Sequence, residues 1–520
     1  MIYFLSFFWF IRQTKAILFW LYLWQLKEYH IGRFIDHFRT EKGKKLFKNK
    51  LFILKLGTVL IFFLFYSNLF LDLVLAVYLV ETFKFLYDFF KKRVKKPVFT
   101  KKTIFLLLLI FLFEICYFLI YFPNKNLVFY LLAFDILTPF IVSGIVLLFQ
   151  PLTVFLRNQI IKKAREKREK FKNLLAIGIT GSYGKTSTKE FLALILSEKF
   201  RVLKTKEHQN SEIGISRCIL DDLNDSHQIF IAEMGAYNRG GIKLLSDIIK
   251  PKIGILTGIN QQHLATFGSK ENIVRTKYEL IESLPEQGVA IFNTNNEYCQ
   301  QLYEKTKIPK RISSKDIWAE DIKVEKELLS FKVFSKDGDS AFFKINLLGA
   351  QNIENIILAA CCAKELGVNL EEIAKACQKI EYSLGGMKFL KGVFNLNIID
   401  STYSANPTGV ISHLEYLGLW KGKKAIIMPC LIELGGASRK IHGEIGQQIA
   451  KICNLAIITT KECFPEIKKS ALKAGMNKDN ILFSENPNEI VERVKSFFGP
   501  EDIILLEGRI SKAIKKSLLS

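Results

Sequence analysis

Four chemistry-bearing groups follow one another between residues 176 and 277: glycine with lysine and hydroxyl, then a glutamate, a histidine and a second lysine. The first set is Ala176-Ile-Gly-Ile-Thr-Gly-Ser-Tyr-Gly-Lys-Thr-Ser-Thr188. An apolar run over 174–179 reads as a buried strand, breaks at Gly181 and turns through Gly184 into a helical pattern at 190–196. Such a strand, glycine turn and helix start forms a phosphate cradle, because backbone N–H groups converge where the helix end favours anions. Gly181, Ser182, Gly184, Lys185, Thr186 and Ser187 are its candidates. Lys185 reaches outer phosphates and the Thr186 hydroxyl takes a place on Mg²⁺. Gly178 supplies an earlier glycine, one position off the usual G-x-x-x-x-G-K-[ST] spacing.

The other members follow on elements of an α/β alternation that begins at Phe171. Gln228-Ile-Phe-Ile-Ala-Glu233-Met-Gly235 is a strand with a carboxylate at its C-terminal end, the edge where open α/β sheets bind ligands. A polar loop, His208-Gln-Asn-Ser-Glu-Ile-Gly214, precedes it. Ile253-Gly-Ile-Leu-Thr-Gly-Ile-Asn260 is a further strand, followed by His263 in a polar loop and by Lys277 in a helical stretch over 272–281. Taken singly, that histidine and lysine read as a solvated face.

These positions, in this order, resemble the Mur ligase family, and most closely its branch that joins D-alanyl-D-alanine to a UDP-muramoyl tripeptide. The resemblance rests on Ile179 to Ser187, Asn210-Ser-Glu-Ile-Gly214, Glu233-Met-Gly235, His263 before Phe267-Gly268-Ser269, and Lys277-Tyr-Glu-Leu280. Leu348-Gly-Ala-Gln-Asn352-Ile-Glu-Asn355, Asp400-Ser-Thr-Tyr403-Ser-Ala-Asn406-Pro407, and Ile432-Glu-Leu-Gly435 with His442 and Gly446 extend it. It implies an ATP-dependent amide ligase working through an acyl phosphate, a reaction that needs clamped phosphates and cations where charge builds up. It further implies one Mg²⁺ on Thr186 and Glu233, and a second on His263 and a carbamylated Lys277. By the same resemblance, Asn352, Asn355 and Asp400 belong to the ATP site, while Asn210, Ser211, Tyr403 and Asn406 face substrate. The partners it implies are a cell-wall muropeptide precursor and an amino acid or dipeptide.

Several positions depart from the family pattern. Gln351 stands for its histidine, Ser401 for its second aspartate and Ser404 for its first asparagine. Leu384-Gly-Gly-Met387 replaces Gly-Arg, and Glu507-Gly508-Arg509 replaces Lys-Gly-Ser. The metal and phosphate set is intact, which points to a working ATP site with a changed acceptor or amine pocket.

The expected architecture is an α-helical membrane bundle followed by α/β: a P-loop Mur-ligase central domain and a Rossmann-like C-terminal domain. Residues 1–155 carry apolar runs near 3–24, 52–70, 71–90, 104–122 and 127–150, each near the span of a bilayer, giving four or five spans. Basic loops at 25–50 and 91–102 and a basic run at 157–170 alternate with turns almost free of positive charge, so the basic side faces the cytoplasm. Residues 156–170 are expected as a basic linker, 171–380 as the ATP-binding domain and 381–520 as the C-terminal domain. In the last, strands are expected at 396–399, 424–428, 455–459, 480–483 and 502–506.

Because the +24 formal charge clusters between apolar segments, it points to membrane lipid rather than nucleic acid. Glu114 and Asp135 inside apolar spans are functional or helix-pairing candidates. Nine scattered cysteines without a C-x-x-C pair argue for reduced thiols and against a zinc ribbon. A single P-loop without an L-S-G-G-Q signature argues against a transport ATPase. A poly-γ-glutamate or lipid-linked-precursor ligase, and a non-catalytic nucleotide-binding scaffold, are the remaining alternatives.

Overall fold

The computed structural model describes residues 2–519 except 39–42, 45, 47–49, 63–67, 92–93, 123, 125, 208, 263, 382–383, 385 and 404. The expected roles of His263 and Ser404, and part of the apolar run at 52–70, therefore lie outside the described residues. The chain divides into two compact units, 1–157 and 158–520.

The first unit is helical. Its long helices are Ile2–Leu26, Lys50–Phe62, Asn68–Phe90, Lys101–Tyr121 and Leu127–Leu148. Among the described residues, Lys101–Tyr121 and Leu127–Leu148 are long and apolar enough to cross a membrane, with mean hydropathies of 2.7 and 2.3. Much of their apolar surface is uncovered, Leu108 and Phe140 being 65% and 66% exposed. Charges inside the apolar pattern set two other long helices apart from these, and Lys50–Phe62, at 13 residues, is too short. Arg12 and Lys15 interrupt Ile2–Leu26, and Asp72, Glu81, Lys84 and Asp88 interrupt Asn68–Phe90. Trp9, Tyr78 and Leu131 anchor one apolar core, and Ile17, Trp24 and Val142 another.

The basic stretch at 156–170, expected as a linker, is helical. It lies in a continuous helix, Gln150–Lys170, whose buried positions Ile161, Ala164 and Arg168 recur at helical spacing along one face. Its charge hid that stripe. Ile161 and Ala164 join a core of the second unit, and the Arg168 guanidinium donates to the carbonyls of Ile249, Phe171 and Leu174 at 2.8–3.1 Å. A buried guanidinium needs such partners, because leaving its donors unmet in an apolar core costs several kcal/mol.

The second unit is built on two six-stranded sheets. The first is wholly parallel, in the order β2 (Val202–Lys204), β3 (Ile229–Glu233), β1 (Leu175–Thr180), β4 (Ile253–Leu256), β5 (Val289–Phe292) and β6 (Lys310–Ser313). β1, β3, β4 and β5 are almost entirely buried, as an all-parallel sheet covered on both faces requires. A small antiparallel sheet follows, made of β7 (Ile317–Val324), β8 (Leu329–Ser335) and β9 (Ser340–Ile345). The alternation of buried and exposed positions along β9 is the trace of this sheet, which the sequence pattern left unassigned.

The last sheet runs β10 (Lys388–Lys391), β11 (Asn397–Ser401), β15 (Ile503–Glu507), β12 (Lys424–Met428), β13 (Leu455–Ile458) and β14 (Ile481–Phe483). The five expected strands occur within about a residue or two of their predicted bounds. The short edge strand β10, antiparallel to β11, was not expected. All nine cysteines are free, in keeping with the reduced thiols expected.

Candidate active site

β1 lies between β3 and β4, so the chain leaves it at the point where strand order reverses, the crevice that binds ligands in open α/β sheets. The loop after β1 reaches the helix Lys185–Ser197 through Gly184, which holds a left-handed φ of 77°. A Cβ at Gly184 would meet Asn355 Oδ1 at 2.3 Å, and one at Gly181 would meet Thr257 Oγ1 at 2.1 Å. Only glycine fits this close approach.

Register carries Glu233 to the loop. It pairs with Ile179 across β1 and β3, which sets its side chain beside the first turn of the helix. Thr186 Oγ1 donates to Glu233 Oε2 at 2.9 Å, and Asn210 Nδ2 donates to Oε1 at 3.0 Å. The Glu233 N–H in turn donates to Thr205 Oγ1 at 3.0 Å. The fully buried Lys189 ammonium stands 3.7 Å from Glu233 Oε2 and 3.0 Å from Glu190 Oε1. One carboxylate therefore gathers a hydroxyl, an amide and a cation.

Lys185 Nζ donates to the carbonyls of Gly181 and Ser182 at 2.7 and 3.3 Å. Burial lowers its pKa, with Glu233 acting against the shift. Lys277, 3% exposed, feels both its burial and the like charge of Lys185, which bring its pKa down to about 7 although Glu279 opposes them. Its amine can therefore be neutral near physiological pH, as reaction with CO₂ requires.

The end of β4 braces the loop from the other side. Ser182 N–H donates to the Gly258 carbonyl at 2.6 Å, and the Thr257 hydroxyl donates to the carbonyls of Thr180 and Tyr183. Beyond β5, Asn293 donates to the Thr257 carbonyl and to Glu354, and Asn296 donates to Tyr183 Oη at 3.3 Å. The Tyr183 phenol is pushed well above its usual pKa by burial and by Glu354. Lys189, Thr257 and this asparagine group were not singled out from the sequence. Only the polar Asn293-Thr-Asn-Asn296 run after an apolar strand offered a signal.

The remaining expected residues have specific partners. Asn355 accepts a bond from Thr188 Oγ1 at 3.3 Å and sits against Gly184, directly behind the loop; Asn352 is buried and donates to the Leu348 carbonyl. Ser211 caps the helix Glu212–Arg217 through Gly214 N–H. Asn406 caps the helix Pro407–Leu417 and accepts from Asn260 Nδ2 at 3.1 Å, linking the loop after β4 to the C-terminal sheet. Tyr403, 44% exposed, has its pKa raised by partial burial and by the charges of Glu207 and Glu233.

Asp400 pairs with Lys515 at 2.6 Å and accepts from Thr402. Next to it, Ser401 and Glu507 are register partners on β11 and β15, and both reach His413 Nδ1, at 3.1 and 2.7 Å. Two departures from the family pattern thus meet at one histidine. His442 is wholly buried; its Nε2 accepts the Leu431 N–H at 2.9 Å, so it fixes the loop after β12.

The residues of this edge fit a magnesium nucleotide. Gly181 and Gly184 let the turn pack too closely for any side chain, Thr186 and Glu233 supply the hard oxygen donors Mg²⁺ prefers, and Lys185 and Lys277 add positive charge.

Comparison with known proteins gives the same picture. Residues 179–363 match the Mur ligase middle domain and residues 387–510 the Mur ligase glutamate ligase domain. The UDP-N-acetylmuramoyl-tripeptide–D-alanyl-D-alanine ligase of Bacillus subtilis is 28% identical over 334 residues, 64% of this chain and 72% of that protein. The crystal structure of MurF from Acinetobacter baumannii superposes with a TM-score of 0.63 at 26% identity, covering 69% of this chain and 80% of its own. MurF from Thermotoga maritima in complex with ADP shares the fold, with a TM-score of 0.60 at 24% identity over 69% of this chain and 84% of its own.

Proposed function

The chain belongs to the Mur ligase family of ATP-dependent, amide-forming ligases, and from that premise we propose that it is a membrane-attached, MurF-like ligase of peptidoglycan precursor synthesis. The observation that carries the reading is the convergence of Thr186, Asn210 and Lys189 on Glu233 beneath the glycine loop.

In this reading the loop from Gly181 to Ser187 holds the phosphates of ATP, and Thr186 with Glu233 holds Mg²⁺, which neutralises phosphate charge. Asn210 and Lys189 orient the Glu233 carboxylate. Lys277, whose lowered pKa leaves part of its amine neutral near pH 7, would take up CO₂ with release of a proton, and the resulting carbamate anion could hold a second Mg²⁺ together with His263. Asn352, Asn355 and Asp400 complete the nucleotide site, Asn355 by backing the loop at Gly184.

The acceptor carboxylate attacks the γ-phosphoryl group and ADP leaves, an acyl phosphate forms, and the incoming amine displaces phosphate with loss of a proton. Lys185 stabilises the charge that builds up during transfer. Ser211, Tyr403 and Asn406 lie toward the substrates, and the Asn260–Asn406 contact closes the two sheets' loops over them, excluding water. The altered Ser401–His413–Glu507 cluster changes the acceptor or amine pocket.

Residues 1–155 form a multi-pass bundle of four or five spans in the cytoplasmic membrane, with 156–170 on the cytoplasmic side and the ligase domains, 171–380 and 381–520, in the cytoplasm. The two most apolar helices and the basic loops support this topology. The acceptor is a membrane-borne, lipid-linked precursor, or a UDP-linked one used near the membrane.

The test is phosphate release by the full chain in detergent micelles with ATP and Mg²⁺. Release that requires both a muramoyl tripeptide and D-alanyl-D-alanine supports the ligase. Release independent of both, or none, rejects it in favour of a pump or a scaffold.

A further inference from the structure

A charged cavity of about 380 Å³ lies within the helical unit, remote in sequence from every residue placed in the ligase site. Its inner end holds four ionic groups on four different helices. Arg12 Nε meets Glu81 Oε2 at 2.9 Å and Arg12 Nη2 meets Asp135 Oδ1 at 3.6 Å, while Lys55 Nζ contacts both carboxylates. Lys55 and Asp135 are 3% and 6% exposed. Two cations and two carboxylates balance there, as groups so deeply buried must.

Further out, Lys15 pairs with Asp88 at 3.2 Å. Two lining lysines, Lys84 and Lys95, are exposed and have no carboxylate partner among the described residues. The lining as a whole carries five cations against three carboxylates, an excess of two positive charges. Its other walls are apolar, with Phe19, Trp20, Phe52 and Pro139 prominent. A water-soluble anion has no use for such walls, and an uncharged lipid leaves the two lysines unmatched.

We propose that this cavity binds a membrane lipid whose head is a phosphomonoester or diphosphate, with Lys84 and Lys95 meeting the phosphate and the aromatic walls the first part of the chain. The inference rests on the membrane attachment proposed above and gives it a substrate class: a dianionic phosphate on an apolar anchor fits the cavity's charge excess and its walls together. The balanced inner network serves as a fixed floor, so the anion is attracted by the outer lysines without having to break a buried ion pair.

The test is native mass spectrometry of the full chain in detergent, titrated with phosphatidic acid, a phosphomonoester lipid, and with phosphatidylcholine. Phosphatidic acid is expected to bind at least ten-fold more tightly. Replacing both exposed lysines, in a Lys84→Ala/Lys95→Ala variant, is expected to weaken it by roughly five-fold per lysine while leaving the melting temperature unchanged. Equal affinity for the two lipids, or no loss in the variant, would overturn the proposal. Displacement of phosphatidic acid by millimolar inorganic phosphate would assign the site to free phosphate and overturn the lipid. Ligase activity assayed on the same preparation with a soluble acceptor keeps the two readings apart, since either can fail while the other holds.

Discussion

The two six-stranded sheets present their carboxyl edges in opposite chemical states. At the edge of β1 and β3, a strand-end carboxylate draws in Thr186, Asn210 and Lys189 beside a loop too tight for any side chain. At the edge of β11 and β15, the strand-end carboxylate of Glu507 is fully buried and closed off by His413 and Ser401. The first edge holds groups that suit a phosphate and its metal; the second has turned the equivalent positions inward. The first also keeps the family pattern that the second has lost. Phosphate chemistry tolerates little change in its cradle, whereas a pocket that selects an acceptor or amine can be rebuilt around a new internal partner.

The comparison breaks most readily at Lys185. Lys185→Ala removes the cation proposed to meet the phosphates and is expected to lower kcat by about 10²–10³-fold in a phosphate-release assay, with little change in the melting temperature. If activity persists, the first edge is not the catalytic one. Gly184→Ala comes next: its Cβ collides with Asn355, and its backbone leaves the left-handed conformation only by reshaping the loop. It is expected to abolish measurable nucleotide binding by calorimetry and to cost about 1–3 kcal/mol of stability by denaturant unfolding.

Lys277 sharpens the first edge by pH. A folded-state pKa of about 7, below the ordinary 10.5, leaves the amine charged below pH 7 and neutral above it. Because the unfolded chain binds the extra proton between those values, this group makes stability rise with pH from about 7 to 10.5. Carbamate formation, followed by carbon-13 NMR in labelled bicarbonate, is expected to grow as pH passes about 7 and to vanish in Lys277→Ala. A carbamate signal unaffected by that substitution would place it on another lysine.

The smallest effect belongs to the second edge. Ser401→Asp sets a carboxylate beside Glu507 at a shared histidine, and like charges there are expected to cost about 1 kcal/mol while changing the KM for acceptor or amine more than kcat. An equal loss in kcat would move this cluster into the chemical step.

The strand, glycine turn and strand-end glutamate were legible because each has a local signature: an apolar run, a φ-permissive glycine and a charge where burial stops. Lys189 was not, since a lysine one turn beyond Lys185 looks like any solvated helix face until register brings Glu233 beside it. Thr257 escaped for the same reason, its role arising from β4 lying next to β1. The helix Gln150–Lys170 was masked by its charge, its three buried positions being too few to outweigh the nine lysines, arginines and glutamates at 157–170. The pairing of Ser401 with Glu507 joins positions more than a hundred residues apart in the chain, a distance at which no local pattern speaks.

In the proposed function the first edge spends ATP to join two substrates. The most direct measurement is the product mass after the full chain is incubated with ATP, Mg²⁺, a muramoyl tripeptide and D-alanyl-D-alanine, with ADP counted alongside. The expected product is an acceptor heavier by one dipeptide less one water, formed one for one with ADP. ADP accumulating while the acceptor keeps its original mass would contradict it.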